Sequence, residues 1–458
     1  MEIKHILGFT IDSLTVYDTE AFLSNDTCML VCPDTGTTLS MDYETFKDFE
    51  NHKVSDDLVF LMVQRAIAKY KDSRPLSNCY ECVLPEFFLI DLTKSCNLSC
   101  KYCFRELNPK NPKITHEKLN EICSSLITYW KAHPQLHITI QAWGGEPLLE
   151  LSSIVEIRNF FNEANLFPEI IIETNGTLIT PDVAKILFEN DIKLGISIDG
   201  NSIVHNAQRP LANGKNSLEL VENGIYNIRN AGYKNFGSIT VVTKNTLENL
   251  DDIIKYFAYD LHLSGIKLNM MHKNEKNHDL AMNIEDIETY IDKLLKNLHE
   301  LYQDKVSIIE QNISQRLSNL MFRTNANICN SHGCHGGYRM LSIDTVGNVY
   351  PCELTDYPDY RLGNIDDSNY IEMVEKAISS NHEYFAKRNL ENCKECPWLY
   401  FCRGGCRSAV KYTTGTTTNI DISECTFNKV LYTKLVEILL NDSNFAEYLL
   451  NGTINSQD

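Results

Sequence analysis

At 458 residues, 43% hydrophobic and 22% charged, the chain has an ordinary globular composition with room for two or three domains. A net charge of −19 with no Lys/Arg run argues against a nucleic-acid partner. The start, Met1 to Phe9, lacks an apolar signal core, and no apolar run approaches membrane-spanning length. The expectation is a cytoplasmic protein with no membrane partner, whose sixteen cysteines serve metal or redox chemistry rather than disulfides.

Residues 1–75 read as a small module. Thr27–Cys32 and Thr37–Met41 are predicted strands around the turn Pro33 to Gly36. Two helices follow. Tyr43, Phe46 and Phe49 share a face of the first; Leu58, Leu61, Met62, Arg65 and Ala66 share one of the second, capped by Ser55. Cys28 and Cys32 lie in one strand, about 13 Å apart at about 3.3 Å per residue, too far to chelate one metal. The polar stretch Lys71–Asn78 reads as a linker. Cys79 and Cys82 have no further ligands beside them and are read as inert.

From Glu86 short apolar runs alternate with amphipathic helices. The predicted strands are Phe87–Leu92, Ile138–Trp143, Glu169–Glu173, Lys193–Ile198, Ser238–Val242 and Gly265–Asn269. Helical patterns near Thr115–Ala132, Ser152–Ala164, Pro181–Asn190, Ser217–Ala231 and Leu250–Tyr259 separate them. This alternation implies an α/β fold on a parallel sheet, either doubly wound or a full or partial barrel. Both bind ligands at the carboxyl ends of the strands. There, Cys96–Cys103 follows the first strand, Gly144 to Pro147 the second, Glu173 to Gly176 the third and Ser197 to Gly200 the fourth. Cys123 shares a helix face with Leu119 and Leu126 and is read as a small core residue.

Residues 284–328 form a helical bridge. Ile284, Ile287, Ile291, Leu294, Leu298 and Leu301 face the core of one helix, and a second runs near Ser307–Phe322. A cysteine array occupies residues 329–426: Cys329, Cys334, Cys352, Cys393, Cys396, Cys402, Cys406 and Cys425. Residues 427–458 hold a closing helix near Phe427–Leu440 and a tail.

Cys96, Cys100 and Cys103 carry the chemistry. A tight loop at this spacing wraps three corners of a 4Fe–4S cube and leaves the fourth iron open to a ligand. A structural zinc site is the competing reading, but zinc wants four ligands and no nearby Cys or His supplies the fourth. For the C-terminal array the competing reading is a zinc ribbon.

With Tyr102 before its last cysteine, the triplet resembles the signature of radical S-adenosylmethionine (radical SAM) enzymes. That resemblance implies a partial (β/α)6 TIM-type barrel over residues 86–283. It also implies S-adenosylmethionine as cofactor on the open iron, cleaved reductively to a 5′-deoxyadenosyl radical. By position, Gly144, Gly145, Glu146 and Pro147 match the segment that receives the methionyl amino group. Ser197 matches a ribose contact, Arg209 the partner of the methionyl carboxylate, and Tyr102 would lie near the adenine.

The cysteine array resembles the SPASM domain of radical SAM enzymes that modify peptides and proteins, which holds two auxiliary 4Fe–4S clusters. The implied cofactors are therefore S-adenosylmethionine and three 4Fe–4S clusters, about twelve irons per chain. Cys334, Cys352 and Cys406 would bind the first auxiliary cluster, with Cys329 as its possible fourth ligand. Cys393, Cys396, Cys402 and Cys425 would bind the second. Glu353 matches a position where some members place a proton acceptor; Asp344 is a second candidate base. The N-terminal hairpin and helices resemble the winged-helix element with which peptide maturases capture a leader peptide. The implied activity is thioether cross-linking of a ribosomally made, Cys-containing precursor peptide. The implied partners are that peptide and a low-potential ferredoxin or flavodoxin as reductant. Formylglycine formation, as in anaerobic sulfatase maturases, and carbon–carbon or carbon–oxygen cyclisation are the alternatives.

Overall fold

The computed structural model describes residues 1–11, 14–70, 83–105, 113–271, 273, 277–322, 329, 333–355, 357–367 and 369–453. The linker Lys71–Asn78 and the pair Cys79 and Cys82 lie outside them. The chain divides into two compact units. One is Met1–Tyr80, Asn283–Cys334 and Arg388–Asp458; the other is Glu81–Met282 and His335–Lys387.

In chain order the first unit begins with strands β1 (Glu2–Ile6), β2 (Thr10–Ile11), β3 (Leu14–Val16), β4 (Thr19–Leu23), β5 (Thr27–Cys32) and β6 (Thr37–Asp42). Helices α1 (Tyr43–Glu50) and α2 (Asp56–Gln64) and strand β7 (Ala68–Tyr70) follow. The expected hairpin is β5–β6, in register from Thr27–Asp42 to Cys32–Thr37. It sits in an antiparallel sheet of order β1-β4-β5-β6, beside a second sheet β2-β3-β7. Cys28, Leu30 and Cys32 alternate onto one face of β5 and are fully buried in a core with Phe46, Phe49, Leu58 and Met62. Ser55 caps α2 as expected, accepting from the Leu58 amide at 3.2 Å. Leu61 does not join the buried face. The nine-residue helix buries only the i, i+4 pair Leu58 and Met62, and Leu61 is exposed.

The second unit is built on β8 (Phe87–Thr93), β9 (Thr139–Gly144), β10 (Glu169–Thr174), β11 (Ile192–Ser197), β12 (Gly237–Val242) and β13 (Gly265–Met270). They lie side by side in chain order and parallel. The order never reverses, which is barrel winding rather than the doubly wound alternative. Between the strands run α3 (His116–Ala132), α4 (Leu151–Glu163), α5 (Pro181–Glu189), α6 (Ser202–Gln208), α7 (Leu218–Ala231), α8 (Lys244–Glu248) and α9 (Leu250–Lys255). The expected helix to Tyr259 leaves α geometry at Tyr256, where a π-helical turn runs to Asp260. Cys123 on α3 is fully buried, as its helix face implied.

Register assigns each strand residue to one of two faces. Phe88, Ile90, Ile140, Ala142, Ile170, Ile172, Leu194 and Ile196 form a buried apolar face. The opposite face, the interior of a partial (β/α)6 barrel, carries Asp91, Gln141, Trp143, Glu173, Ser197, Lys267 and Asn269. A polar interior toward the carboxyl ends is a lining for ligand and substrate.

Beyond the barrel come α10 (Ile284–Gln303), β14 (Ile309–Glu310) and α11 (Gln311–Phe322) in the first unit. Ile287, Ile291, Leu294, Leu298 and Leu301 are buried as expected, whereas Ile284, at the first helical position, is exposed. The second helix begins at Gln311 rather than near Ser307, because the Glu310 carboxylate accepts from the Ile313 amide at 2.7 Å and sets the start. In the second unit β15 (Met340–Ile343) pairs in parallel with β8, and β16 (Asn348–Tyr350) and β17 (Gly363–Asn364) extend the sheet antiparallel, followed by α12 (Tyr370–Ser379). The first unit closes with α13 (Leu399–Cys402), α14 (Arg407–Thr414), α15 (Ile422–Asn441) and α16 (Ser443–Asn451). Among the described residues no helix is long and apolar enough to cross a membrane.

Candidate active site

The four polar segments after β8, β9, β10 and β11 are tied into one structure. The Gly145 amide donates to the Thr93 carbonyl at 2.7 Å and the Glu146 amide to the Ser95 carbonyl at 2.9 Å, just before Cys96. This contact requires glycine. A Cβ on Gly145 would lie 2.2 Å from the Ser95 carbonyl oxygen, and Gly144, at φ +153°, would place one 2.4 Å from that of Thr93.

Glu146 is almost completely buried and faces the third segment. Its Oε1 accepts from Thr174 Oγ1 at 2.6 Å and the Leu148 amide at 3.1 Å, and its Oε2 from the Asn175 amide at 2.8 Å. Burial pushes its carboxyl up from the ordinary range, against these bonds and the Arg209 charge. Pro147, also buried, opens a single 3₁₀ turn. Asn175 Nδ2 donates to Asn97 Oδ1 at 2.8 Å and lies 3.9 Å from Cys96 Sγ, reaching into the cysteine loop.

The rest of that loop is laid against the chain after α6. Ser99 and Lys101 amides donate to the Pro210 and Gln208 carbonyls, both at 2.9 Å, and the Ala212 amide to the Asn97 carbonyl at 2.9 Å. Tyr102 is buried. Its hydroxyl donates to Asp199 Oδ2 at 2.5 Å and accepts from Arg209 Nη1 at 2.6 Å. Asp199 also accepts from Gln208 Nε2 at 3.2 Å and the Val241 amide at 3.1 Å. Burial works against the Arg209 charge, yet Cys100, Tyr102 and Asp199 hold the guanidinium firmly protonated. Its Nε is buried with no hydrogen-bond partner among the described residues. A donor in that state fits an anionic ligand group.

Sequence reasoning missed the support behind this cation. Asp199 N donates to His205 Nδ1 at 3.2 Å, His205 Nε2 pairs with Ser217 Oγ at 3.1 Å, and Ser217 Oγ donates to the Arg209 carbonyl. The available signal was the position of Asp199 on the rim. Ser197 stands half-buried at the end of β11 on the interior face.

Inside the barrel, Arg105 pairs with Asp91 and lies 5.8 Å over the Trp143 ring. Glu353 enters the same space: Glu173, Arg105 and Lys267 all act on its charge. Burial first, and then Glu173, push its carboxyl up, while Arg105 and Lys267 pull it down. Its Oε2 is buried with no hydrogen-bond partner among the described residues. Glu173 was read from the sequence only as the start of the third rim segment, and Lys267 was not read as a site residue. Asp344, the second candidate base, is a turn residue instead. Its Oδ1 accepts from the Val346 and Asn348 amides at 3.0 and 2.9 Å, and its Oδ2 from Asn348 Nδ2 at 2.9 Å.

Cys96, Cys100 and Cys103 are all partly exposed at the rim, and the charges of Cys100 and Cys103 act on Cys96. Burial pushes the Cys96 thiol up to about 11. In the first unit Cys393, Cys396, Cys402 and Cys425 line one pocket with Asn428 and Lys429. Cys334, Cys406 and the exposed Cys329 also belong to the first unit, and Cys352 to the second.

Residues 90–257 match the model of the radical SAM superfamily, and residues 334–397 that of the SPASM iron–sulfur cluster-binding domain. The chain is a radical SAM enzyme that carries a SPASM domain. A cysteine-type anaerobic sulfatase-maturating enzyme of Clostridium novyi (strain NT) is 29% identical over 340 residues, 72% of this chain and 90% of that protein. Among solved structures, native anSMEcpe with bound AdoMet and Cp18Cys peptide covers 79% of this chain and all of its own, at TM-score 0.67 and 22% identity. Streptococcus suis SuiB bound to precursor peptide SuiA covers 88% of this chain and 99% of its own, at TM-score 0.55 and 13% identity.

The two domains imply S-adenosylmethionine and 4Fe–4S clusters, with auxiliary clusters in SPASM. The donors present fit these groups. Three coupled rim thiols suit three irons of a cubane, and four cysteines around one pocket suit a fully ligated one. No three His, Cys, Asp or Glu side chains among the described residues converge on a single-ion site.

Proposed function

We propose that this radical SAM enzyme cross-links a cysteine-containing precursor peptide through a thioether, in the cytoplasm, with a low-potential ferredoxin or flavodoxin as reductant. Cys96, Cys100 and Cys103 hold the cluster that binds S-adenosylmethionine. Cys334, Cys352 and Cys406, with Cys329, hold the first auxiliary cluster, and Cys393, Cys396, Cys402 and Cys425 the second. When loaded, these groups supply a 5′-deoxyadenosyl radical and an acceptor for one electron.

The observation that supports a cysteine-thiol substrate is the buried, unpartnered Oε2 of Glu353 beside Cys352. An acceptor held dry and empty is matched by a proton donor on the substrate, and a peptide thiol is the donor the proposed reaction consumes. Glu353 takes the thiol proton. Overall one C–H and one S–H bond give one C–S bond. With the cofactors loaded, the hydrogen atom would be taken up as 5′-deoxyadenosine and one electron at the auxiliary site held by the SPASM cysteines, while the thiol proton rests on Glu353. Lys267 and Arg105 balance the charge of Glu353 and Glu173 in this interior. Gly144 to Pro147, Ser197, Tyr102 and Arg209 hold S-adenosylmethionine, with Arg209 facing its carboxylate. Residues 1–75 capture the leader on an exposed sheet edge, for which β1 is available at the end of its sheet. Residues 86–283 are the catalytic barrel, 284–328 a bridge, 329–426 the auxiliary-cluster domain and 427–458 the closing helix and tail.

A second reading, oxidation of a cysteine to formylglycine, is favoured by the likeness to the Clostridium novyi sulfatase-maturating enzyme. Both readings need the thiol proton removed. Mass spectrometry of a neighbour-encoded peptide after anaerobic turnover decides between them: loss of two hydrogens with a fragmentation gap at the ring, or an aldehyde at cysteine. Glu353→Gln is expected to keep cleaving S-adenosylmethionine while product formation falls by about 10²–10⁴-fold. Wild-type product yield in that variant would overturn the role of Glu353.

A further inference from the structure

The four-cysteine pocket of the first unit carries donors and cations that neither reaction uses directly, opposed by the carboxylates of Glu424, which acts on Cys402, and Glu20, which acts on Cys396. Asn428 Nδ2 donates to Cys402 Sγ at 3.6 Å. The orientation of that amide is fixed from behind, because Arg316 Nε and Nη2 donate to Asn428 Oδ1 at 3.2 and 3.1 Å. Arg316 is itself buried and lies 5.2 Å from the Phe427 ring, so its fork has one address. Lys429, exposed, lines the same pocket, and its charge acts on Cys393 and Cys396.

Arg388 supplies a second cation. Its Nη1 donates to the Gly405 carbonyl at 2.7 Å and its Nη2 to the Gly404 carbonyl, within the chain that joins Cys402 to Cys406. Gly404 is a pocket residue, and a Cβ there would meet the Arg388 guanidinium at 2.9 Å. The thiols of Cys334 and Cys402 act on this guanidinium, and its own charge acts on Cys393. Its Nε is buried with no hydrogen-bond partner among the described residues.

We propose that Asn428, held by Arg316, together with Arg388 and Lys429 forms a donor shell that raises the reduction potential of the cluster bound by Cys393, Cys396, Cys402 and Cys425. Reduction adds an electron to a cluster already carrying negative charge. Hydrogen bonds to its sulfurs and nearby cations stabilise the reduced state more than the oxidised one. The pocket is thereby built to accept electrons rather than to hold a strong reductant. These are positioning residues; none needs to touch the peptide.

The inference rests on that pocket holding a cluster, so iron is counted first, in a background with Cys96, Cys100 and Cys103 changed to Ala. Adding Ala at Cys393, Cys396, Cys402 and Cys425 together should remove about four irons. Unchanged iron would mean that the assignment of the pocket itself had failed. Midpoint potentials of the auxiliary clusters are then read by EPR-monitored titration of the reconstituted full chain. Lys429→Gln, at an exposed position, should lower one auxiliary potential and leave iron content intact. Asn428→Leu should lower the same potential further, by about tenfold in the reduction equilibrium, or about 59 mV for one electron. Unchanged potentials in Lys429→Gln at full iron content overturn the proposal, whether or not Asn428→Leu folds.

Discussion

Tyr102 and Asp199 meet through a 2.5 Å hydrogen bond, so the aromatic residue of the cysteine loop ends on a buried carboxylate just past the fourth barrel strand. Asp199 also anchors Gln208 and the Val241 amide, and the Gln208 carbonyl holds the Lys101 amide. One carboxylate therefore fixes both the side chain and the backbone of the loop. Hydrogen bonds to a charged group contribute about 1.5–3 kcal/mol each, and cutting one partner leaves the others buried. Asp199→Asn is expected to fold, to retain less iron at the cysteine triplet, and to bind S-adenosylmethionine about tenfold more weakly. Iron counting and calorimetric titration of the anaerobic protein check this. Tyr102→Phe removes the bridging hydroxyl alone and should show the smaller loss; equal affinity in all three proteins would refute the anchoring role.

Gly145→Ala tests the close approach of the first two rim segments. With the Ser95 carbonyl oxygen 2.2 Å from the new Cβ, backbone must move, because neither partner is a flexible side-chain tip. Overpacking of this kind costs about 1–3 kcal/mol. The expected result is a lowered unfolding midpoint and loss of the S-adenosylmethionine-induced change in the cluster EPR signal. A variant that melts and binds like wild type would show that the segments can separate freely.

The barrel and its rim were legible because their signals are local. Each strand pattern is followed by its own helix pattern before the next strand, and polar segments at strand ends break an apolar pattern that can be counted. Cys96 to Cys103 and Gly144 to Pro147 could thus be placed on one rim from spacing alone. What stayed hidden depends on pairing between distant segments. β15 joins the barrel edge beside β8, although Met340 and Phe87 are far apart in sequence. Strands as short as β2, with two residues, carry no periodicity to detect. Lys267 reads as an ordinary strand residue until register puts it on the polar face with Gln141 and Trp143. Asp344 misled for the opposite reason. Its carboxylate looks available in sequence, and only the turn geometry shows that amides two and four residues on occupy it.

Cys28 and Cys123 provide an internal control for the cluster ligands. Both are fully buried, and burial pushes each thiol up to about 12, so neither is a ready thiolate at neutral pH. Cys28→Ala and Cys123→Ala should leave iron content and S-adenosylmethionine cleavage unchanged, with a stability loss of about 1 kcal/mol from the small cavity. In the folded wild-type protein both thiols should resist iodoacetamide, as read by peptide mapping. Loss of iron in either variant would assign that cysteine to a cluster.

His205 makes stability depend on pH in a definable direction. It is fully buried between the Asp199 amide and Ser217, and burial, followed by the Arg209 charge, lowers its pKa from 6.5 to about 3. The folded state therefore keeps it neutral while the unfolded chain takes up a proton below about 6.5. Between those values the unfolded state binds more protons, so stability present above about 6.5 is lost progressively as pH falls toward about 3. From pH 7.5 to 5.5 this one group removes about 1.4 kcal/mol. Denaturant unfolding of wild type and His205→Gln across that interval isolates the contribution, because other titrating groups cancel in the difference. The variant should be less stable at pH 7.5, where Ser217 loses its ring partner, and the gap should narrow by about 1.4 kcal/mol at pH 5.5. A gap that stays constant would mean that His205 remains free to protonate within the folded chain.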